Sequence, residues 1–233
     1  MKASLLLSTA LLALASAVPM TFDLSEDMIA KLKTGTTSAA AASSAIGTTA
    51  NEFLDGGCRP VIFLYARGST QDGNIGSSPG PQTIDQLKAK LGGDLVVAAQ
   101  GLAYPASLLD NLRPEGCDPD DAASFAALIS QAAAQCPTAR LVISGYSQGA
   151  ALVHAAAKLL TAGVQARISA AVTFGDTHKK QDGGVIPGIA AARTLILCHD
   201  GDLVCEGTLI VLDAHYDYDD LAPTAVSFIA SKV

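Results

Sequence analysis

Between residues 61 and 231 the chain alternates short, nearly unbroken apolar runs with longer stretches in which apolar positions recur every three to four residues. The short runs, at 61–65, 95–99, 141–145, 168–174 and 194–198, have strand length. The longer ones, at 82–91, 120–135, 148–160 and about 223–231, have helical period. Strands apolar at almost every position are covered on both faces, so the pattern predicts an α/β fold built on a parallel sheet with helices on both sides. Upstream, 22–33 reads as a short amphipathic helix. Ser25 is its N-cap, acids fill its first turn, lysines fill its last, and Phe22, Met28, Ile29 and Leu32 form its apolar face. Residues 34–50 are Gly, Ser, Thr and Ala with a single Ile, a composition that buries little, so the folded body is expected from residue 51 onward.

Composition narrows the class. The chain has 233 residues, 49% of them hydrophobic and 16% charged, which suits one well-buried domain. Met1-Lys2, an apolar run from Leu5 to Leu14 and Ala15-Ser16-Ala17 form a secretory signal with cleavage expected after Ala17, and the run is too short to span a bilayer. Segment 18–50 is then a propeptide or an N-terminal extension, whose helix either is removed or folds over an apolar cleft. A net charge of −7 without a basic, aromatic-interleaved patch excludes a nucleic-acid partner. Five cysteines, at 58, 117, 136, 198 and 205, suit an oxidising compartment and leave at least one without an internal partner. Their spacing fits no metal site, and no cofactor is implied.

The chemistry is concentrated where the third apolar run ends. Gly145-Tyr146-Ser147-Gln148-Gly149 is a G-x-S-x-G turn between a strand and an alanine-rich helix, which makes Ser147 the candidate nucleophile and the Gln148 N–H a candidate oxyanion donor. An acid and then a histidine are expected downstream in that order. The loop after 194–198 offers Asp200 and Asp202, and the one histidine beyond it is His215. Asp176, at the end of 168–174, is a rival acid that ends the wrong strand. His154 is read as a helix-packing or surface residue, His178 as a surface one, and His199 as a surface residue or a neighbour of the site. A second oxyanion donor belongs after an early strand, where Ser69 lies in Tyr65-Ala66-Arg67-Gly68-Ser69-Thr70.

Together these motifs resemble the fungal cutinases, small secreted serine esterases that hydrolyse the aliphatic polyester of plant cuticle. The resemblance covers about residues 58–233. It rests on 65–70 followed by Gly73-Asn74, on Gly145-Tyr146-Ser147-Gln148-Gly149-Ala150, and on Cys198 through Gly201-Asp202-Leu203-Val204-Cys205. It implies a compact α/β hydrolase with a five-stranded parallel sheet, Ser147 as nucleophile, Asp202 rather than Asp200 as acid, His215 as base, and Ser69 with Gln148 as oxyanion hole. It also implies disulfides Cys58–Cys136 and Cys198–Cys205, leaving Cys117 unpaired, and gives Asn111 the task of holding the Ser69 side chain. Tyr146 and Asn111 are grouped with the substrate-binding residues, as are the apolar lips Leu108, Leu109, Leu209, Ile210 and Val211. The expected substrate is cutin or another aliphatic ester, the expected state a monomer. Acetylxylan esterase, short-chain lipase and a non-catalytic cuticle-binding or elicitor protein are the alternatives. The surround of His215, with Asp213, Asp217, Asp219 and Asp220, is more acidic than the family pattern.

Overall fold

The computed structural model describes residues 46–233. The signal at 1–17 and the helix at 22–33 lie outside the described residues, as does most of the 34–50 linker. Five strands, β1 (Val61–Ala66), β2 (Val97–Gly101), β3 (Arg140–Tyr146), β4 (Ile168–Phe174) and β5 (Thr194–Leu197), form one parallel sheet in the order β2-β1-β3-β4-β5. The helices are α1 (Glu52–Gly56), α2 (Gly80–Leu91), α3 (Pro119–Gln135), α4 (Gln148–Leu159), α5 (Ala162–Arg167) and α6 (Ala222–Ala230).

Alternation along β1 shows why its six residues are all buried. Ile62 and Leu64 point into a core filled by Phe125 and Ile129 of α3 and Leu152 and Val153 of α4. Phe63 and Tyr65 point the other way, into a core with Ile84 and Leu87 of α2 and Val226 and Ile229 of α6. Both faces of the sheet are therefore apolar, which is what produced the unbroken runs in the sequence.

Three differences from the sequence reading have local causes. β2 begins at Val97 rather than 95, because Val96 and Val97 N–H groups close a turn onto the Gly93 carbonyl and leave Leu95 81% exposed. The short helices α1 and α5 were not predicted; each is about one turn or slightly more, too brief to show a period. The folded body also begins before residue 51. Ala50 is buried, its N–H donates to Asn74 Oδ1 at 2.8 Å, and the Thr48 carbonyl accepts from the Asn74 and Ile75 N–H groups at 3.0 Å each. The approach is close enough to require glycine on the loop: a Cβ on Gly73 would lie 2.0 Å from the Thr48 carbonyl oxygen.

Both disulfides, Cys58–Cys136 and Cys198–Cys205, are formed, while Cys117 is free and buried. Closing 78 residues contributes about 4–5 kcal/mol in the chain-entropy treatment. Burial, with Glu115 and Asp121 nearby, pushes the Cys117 thiol up to about 12, so it stays protonated and inert.

Candidate active site

The central strand delivers Ser147 to the carboxyl edge of the sheet. Ser147 has φ 55° and ψ −120°, so the strained residue of the turn is the serine itself. The flanking glycines serve close approach instead. A Cβ on Gly145 would lie 2.2 Å from the Gly149 carbonyl oxygen, and one on Gly149 would lie 2.0 Å from that of Ala66. The Ser147 N–H is held by the Phe174 carbonyl at 3.0 Å.

His215 and Asp202 come from the loops beyond β5. His215 Nε2 is 2.9 Å from Ser147 Oγ, and its Nδ1 is 2.8 Å from Asp202 Oδ2. That same carboxylate oxygen accepts the Tyr218 hydroxyl at 2.6 Å, while Oδ1 accepts the Val204 N–H at 3.0 Å. Burial pushes the Asp202 carboxyl up, but the bond and charge of His215 and the donors from Tyr218 and Val204 outweigh it and hold the group below its ordinary value. An ionised Asp202 requires the hydrogen on Nδ1, which leaves the Nε2 lone pair facing the serine hydroxyl.

Tyr218 is the residue that sequence reasoning missed. It follows His215 by three positions, and nothing in that spacing indicates that its hydroxyl reaches Asp202. Its ring is stacked on His199 with centroids 4.2 Å apart, and His199 is fixed by the Ala214 carbonyl and Asp220, each at 2.9 Å. Three of the four acidic residues around His215 are engaged elsewhere: Asp217 accepts the Asp219 N–H, Asp219 accepts the Ser78 hydroxyl, and Asp220 holds His199.

Ser69 is buried on the loop after β1, where Thr70, at φ 62°, donates its N–H to the Ala106 carbonyl at 2.9 Å. Asn111 Nδ2 donates to Ser69 Oγ at 2.8 Å, which leaves the hydroxyl hydrogen of Ser69 free to point at a ligand. Gln148 is the first residue of α4, so its N–H lacks an intrahelical acceptor, and its side chain donates to the Ser107 carbonyl at 2.7 Å. Tyr146, grouped above with the substrate-binding residues, is instead 6% exposed. Its hydroxyl donates to the His215 carbonyl and its ring packs on Gly68 and stacks on the imidazole, so it joins the loop after β1 to the histidine loop.

Leu109, Leu209 and Ile210 are exposed, and Leu108 and Val211 are half-buried. Leu112 and Leu212, at 64% and 45% exposure, extend the same two segments, one carrying Asn111 and the other leading to His215. Asp200 is exposed, and Asp176 is bonded to His154 rather than to His215. His154 and His178 are buried. Among the described residues no cluster of His, Cys, Asp and Glu could hold a metal, and no helix is long and apolar enough to cross a membrane.

A serine on a strained strand-to-helix turn at the carboxyl edge of a parallel sheet, with acid and histidine following in that order, defines an α/β hydrolase. The sequence model of the Cutinase family matches residues 57–233. Cutinase CUT2 of Pyricularia oryzae is 60% identical over 81% of this chain and 87% of its own length, and Cutinase 2 of Fusarium vanettenii is 41% identical over 80% and 83%. The structure of Trichoderma reesei cutinase in complex with a phosphonate inhibitor superposes with a TM-score of 0.72 at 37% identity, covering 80% of each chain. The chain belongs to the cutinase family and is a serine esterase, a carboxylic ester hydrolase.

Proposed function

We propose that this cutinase-family esterase is secreted and hydrolyses cutin and related aliphatic polyesters, together with short- to medium-chain esters, through an acyl-enzyme on Ser147. The observation that carries the reading is the imidazole of His215, held between Ser147 Oγ at 2.9 Å and the Asp202 carboxylate at 2.8 Å. Nε2 takes the hydroxyl proton as Oγ attacks the ester carbonyl, and Asp202 stabilises the imidazolium that forms. The Gln148 N–H and the Ser69 hydroxyl then meet the developing oxyanion, with Asn111 fixing the direction of the Ser69 oxygen. The tetrahedral intermediate collapses as the imidazolium gives its proton to the leaving alcohol. Water, deprotonated by the same nitrogen, releases the acid and restores the serine.

The exposed leucines and Ile210 on either side would rest on an aliphatic chain, which suits an insoluble apolar polymer better than a carbohydrate. The leader-like start and two disulfides support secretion, with residues 18–50 as a propeptide or extension. Every group of the site comes from one chain, so a monomer suffices.

The test is hydrolysis of p-nitrophenyl esters from acetate to palmitate, alongside acid release from a cutin or polyester film, by the protein and by Ser147→Ala. Butyrate-range turnover and film release are expected, with kcat lower in the variant by on the order of 10⁵–10⁶. Turnover of acetate alone would move the assignment to a polysaccharide deacetylase.

A further inference from the structure

A second histidine–carboxylate cluster lies behind the elbow and takes no part in the proton transfers above. His154, two turns along α4 from Ser147, is fully buried. Its Nε2 is 3.0 Å from Asp176 Oδ2 and its Nδ1 is 2.8 Å from Asp182 Oδ2. A neutral imidazole carries one N–H and can donate to one carboxylate; with a carboxylate on each nitrogen, both are satisfied only by the imidazolium. Burial opposes that charge, but Asp176 and Asp182 outweigh it and raise the His154 pKa above its ordinary value. Asp176, in turn, is held below the usual carboxylate range: burial pushes it up, and the His154 bond and charge, the Thr173 hydroxyl at 2.6 Å and the His178 N–H at 2.9 Å overcome that push. The other charged or titratable groups facing the cluster are His178, with its ring 5.8 Å from that of His154, Lys158, which bridges Asp182 and Glu115 at 3.2 and 2.7 Å, and Glu115 itself.

The cluster anchors residues 174–178, and that segment touches both reacting groups. The Phe174 carbonyl accepts the Ser147 N–H at 3.0 Å, and the Thr177 hydroxyl donates to the Ser147 carbonyl at 3.3 Å. Between them Gly175, at φ 51°, lies so close to the base that a Cβ would sit 2.9 Å from His215 Cε1. Asp176 is the one residue of this segment whose side chain is bonded to the buried histidine. We infer that His154 and Asp176 are positioning residues for acyl transfer: their buried contact fixes residues 174–178, and that segment sets the Ser147–His215 approach. The inference rests on the triad assignment proposed above.

The experiment compares His154→Gln, Asp176→Asn and Thr177→Val with the wild type on p-nitrophenyl butyrate, counting competent sites by fluorophosphonate labelling and recording Tm. We expect kcat per labelled site to fall about 10- to 100-fold in the first two, since displacements near 1 Å have costs of that size, with KM within about twofold. Thr177→Val loses a single long hydrogen bond and should fall about two- to fivefold. A purely architectural cluster would lower Tm and the labelled fraction while kcat per labelled site stayed at the wild-type value, and that result overturns the inference. If the two buried variants do not fold, Thr177→Val decides alone, and an unchanged kcat there rejects it. Failure of the triad reading looks different, because Ser147→Ala would then retain turnover and fluorophosphonate would not label the wild type.

Discussion

His215 and His154 are both buried, both sit beside carboxyl groups held below their ordinary range, and both lie within one turn or two of the nucleophile elbow or its partner loop. They differ in what faces the second ring nitrogen. For His154 it is another carboxylate, Asp182, so both nitrogens must keep their hydrogens and the ring cannot accept a proton. For His215 it is the hydroxyl of Ser147, so one lone pair remains available and is aimed at the group that the proposed mechanism deprotonates. A histidine–aspartate pair becomes a base or a brace according to the third group alone. The sequence supplies both pairs from similar loops at strand ends, and the sheet sorts them: β5 carries the loop that reaches His215, whereas the loop after β4 turns back onto α4.

The comparison breaks most severely at the acid. In Asp202→Asn the amide can donate to Nδ1, which turns the imidazole to the tautomer with its hydrogen on Nε2, facing Ser147 Oγ. The base is then lost with little change in shape, and kcat for p-nitrophenyl butyrate should fall about 10⁴-fold with KM nearly unchanged. A loss below tenfold would show that Asp202 does not set the tautomer, and the contrast between the two histidines would fail with it.

How far the sequence carried the site depends on the kind of constraint. Order along the chain points to Ser147, to His215 and to an acid at Asp200 or Asp202, because an elbow and strand-end loops impose one, and the family resemblance is what selects Asp202. The five strands were visible because burial on both faces removes polar positions. Tyr218 and the role of Tyr146 were not visible, since each depends on where a hydroxyl ends up across loops that have no periodicity. His154 was read as a packing or surface residue on helix spacing. Its partners lie 22 and 28 residues away, and no local pattern marks such pairs. The body starts earlier than composition suggests: residues 46–50 look like linker, yet the Thr48 carbonyl and the Ala50 N–H are bonded to residues 74 and 75, and backbone pairings of that kind leave no mark in composition.

A smaller change sharpens what separates Asp202 from Asp176. Asp202 is shared between His215 and Tyr218, with the hydroxyl 2.6 Å from the oxygen that also receives the imidazole N–H. Tyr218→Phe keeps the ring stacked on His199 and removes that donor, together with the acceptor of the His199 N–H at 3.1 Å. Hydrogen bonds to charged groups contribute about 1.5–3 kcal/mol, part of which His215 recovers by taking the oxygen alone, so kcat should fall about tenfold. The Asp202 carboxyl should move up toward its ordinary value, and the acid limb of the stability profile should move up with it. An unchanged rate would mean that the hydroxyl supports the loop without tuning the acid.

The smallest effect concerns stability against pH, and it separates the clusters by sign. The folded-state pKa of Asp176 is lowered, so its contribution is complete above the unfolded value of 3.8 and is lost as pH falls through the folded one. Asp202 is lowered as well, so both clusters weaken on the acid side. The pKa of His154 is raised, so its contribution is complete below 6.5 and is lost as pH rises through the folded value. The alkaline decline therefore reports on the brace. Tm measured from pH 6 to 9 should fall in the wild type by about 2–4 °C for each kcal/mol lost, whereas His154→Gln should begin lower and run flatter. Parallel curves would mean that His154 carries no charge to lose, and the distinction between a saturated and an available imidazole would have to rest on the kinetics alone.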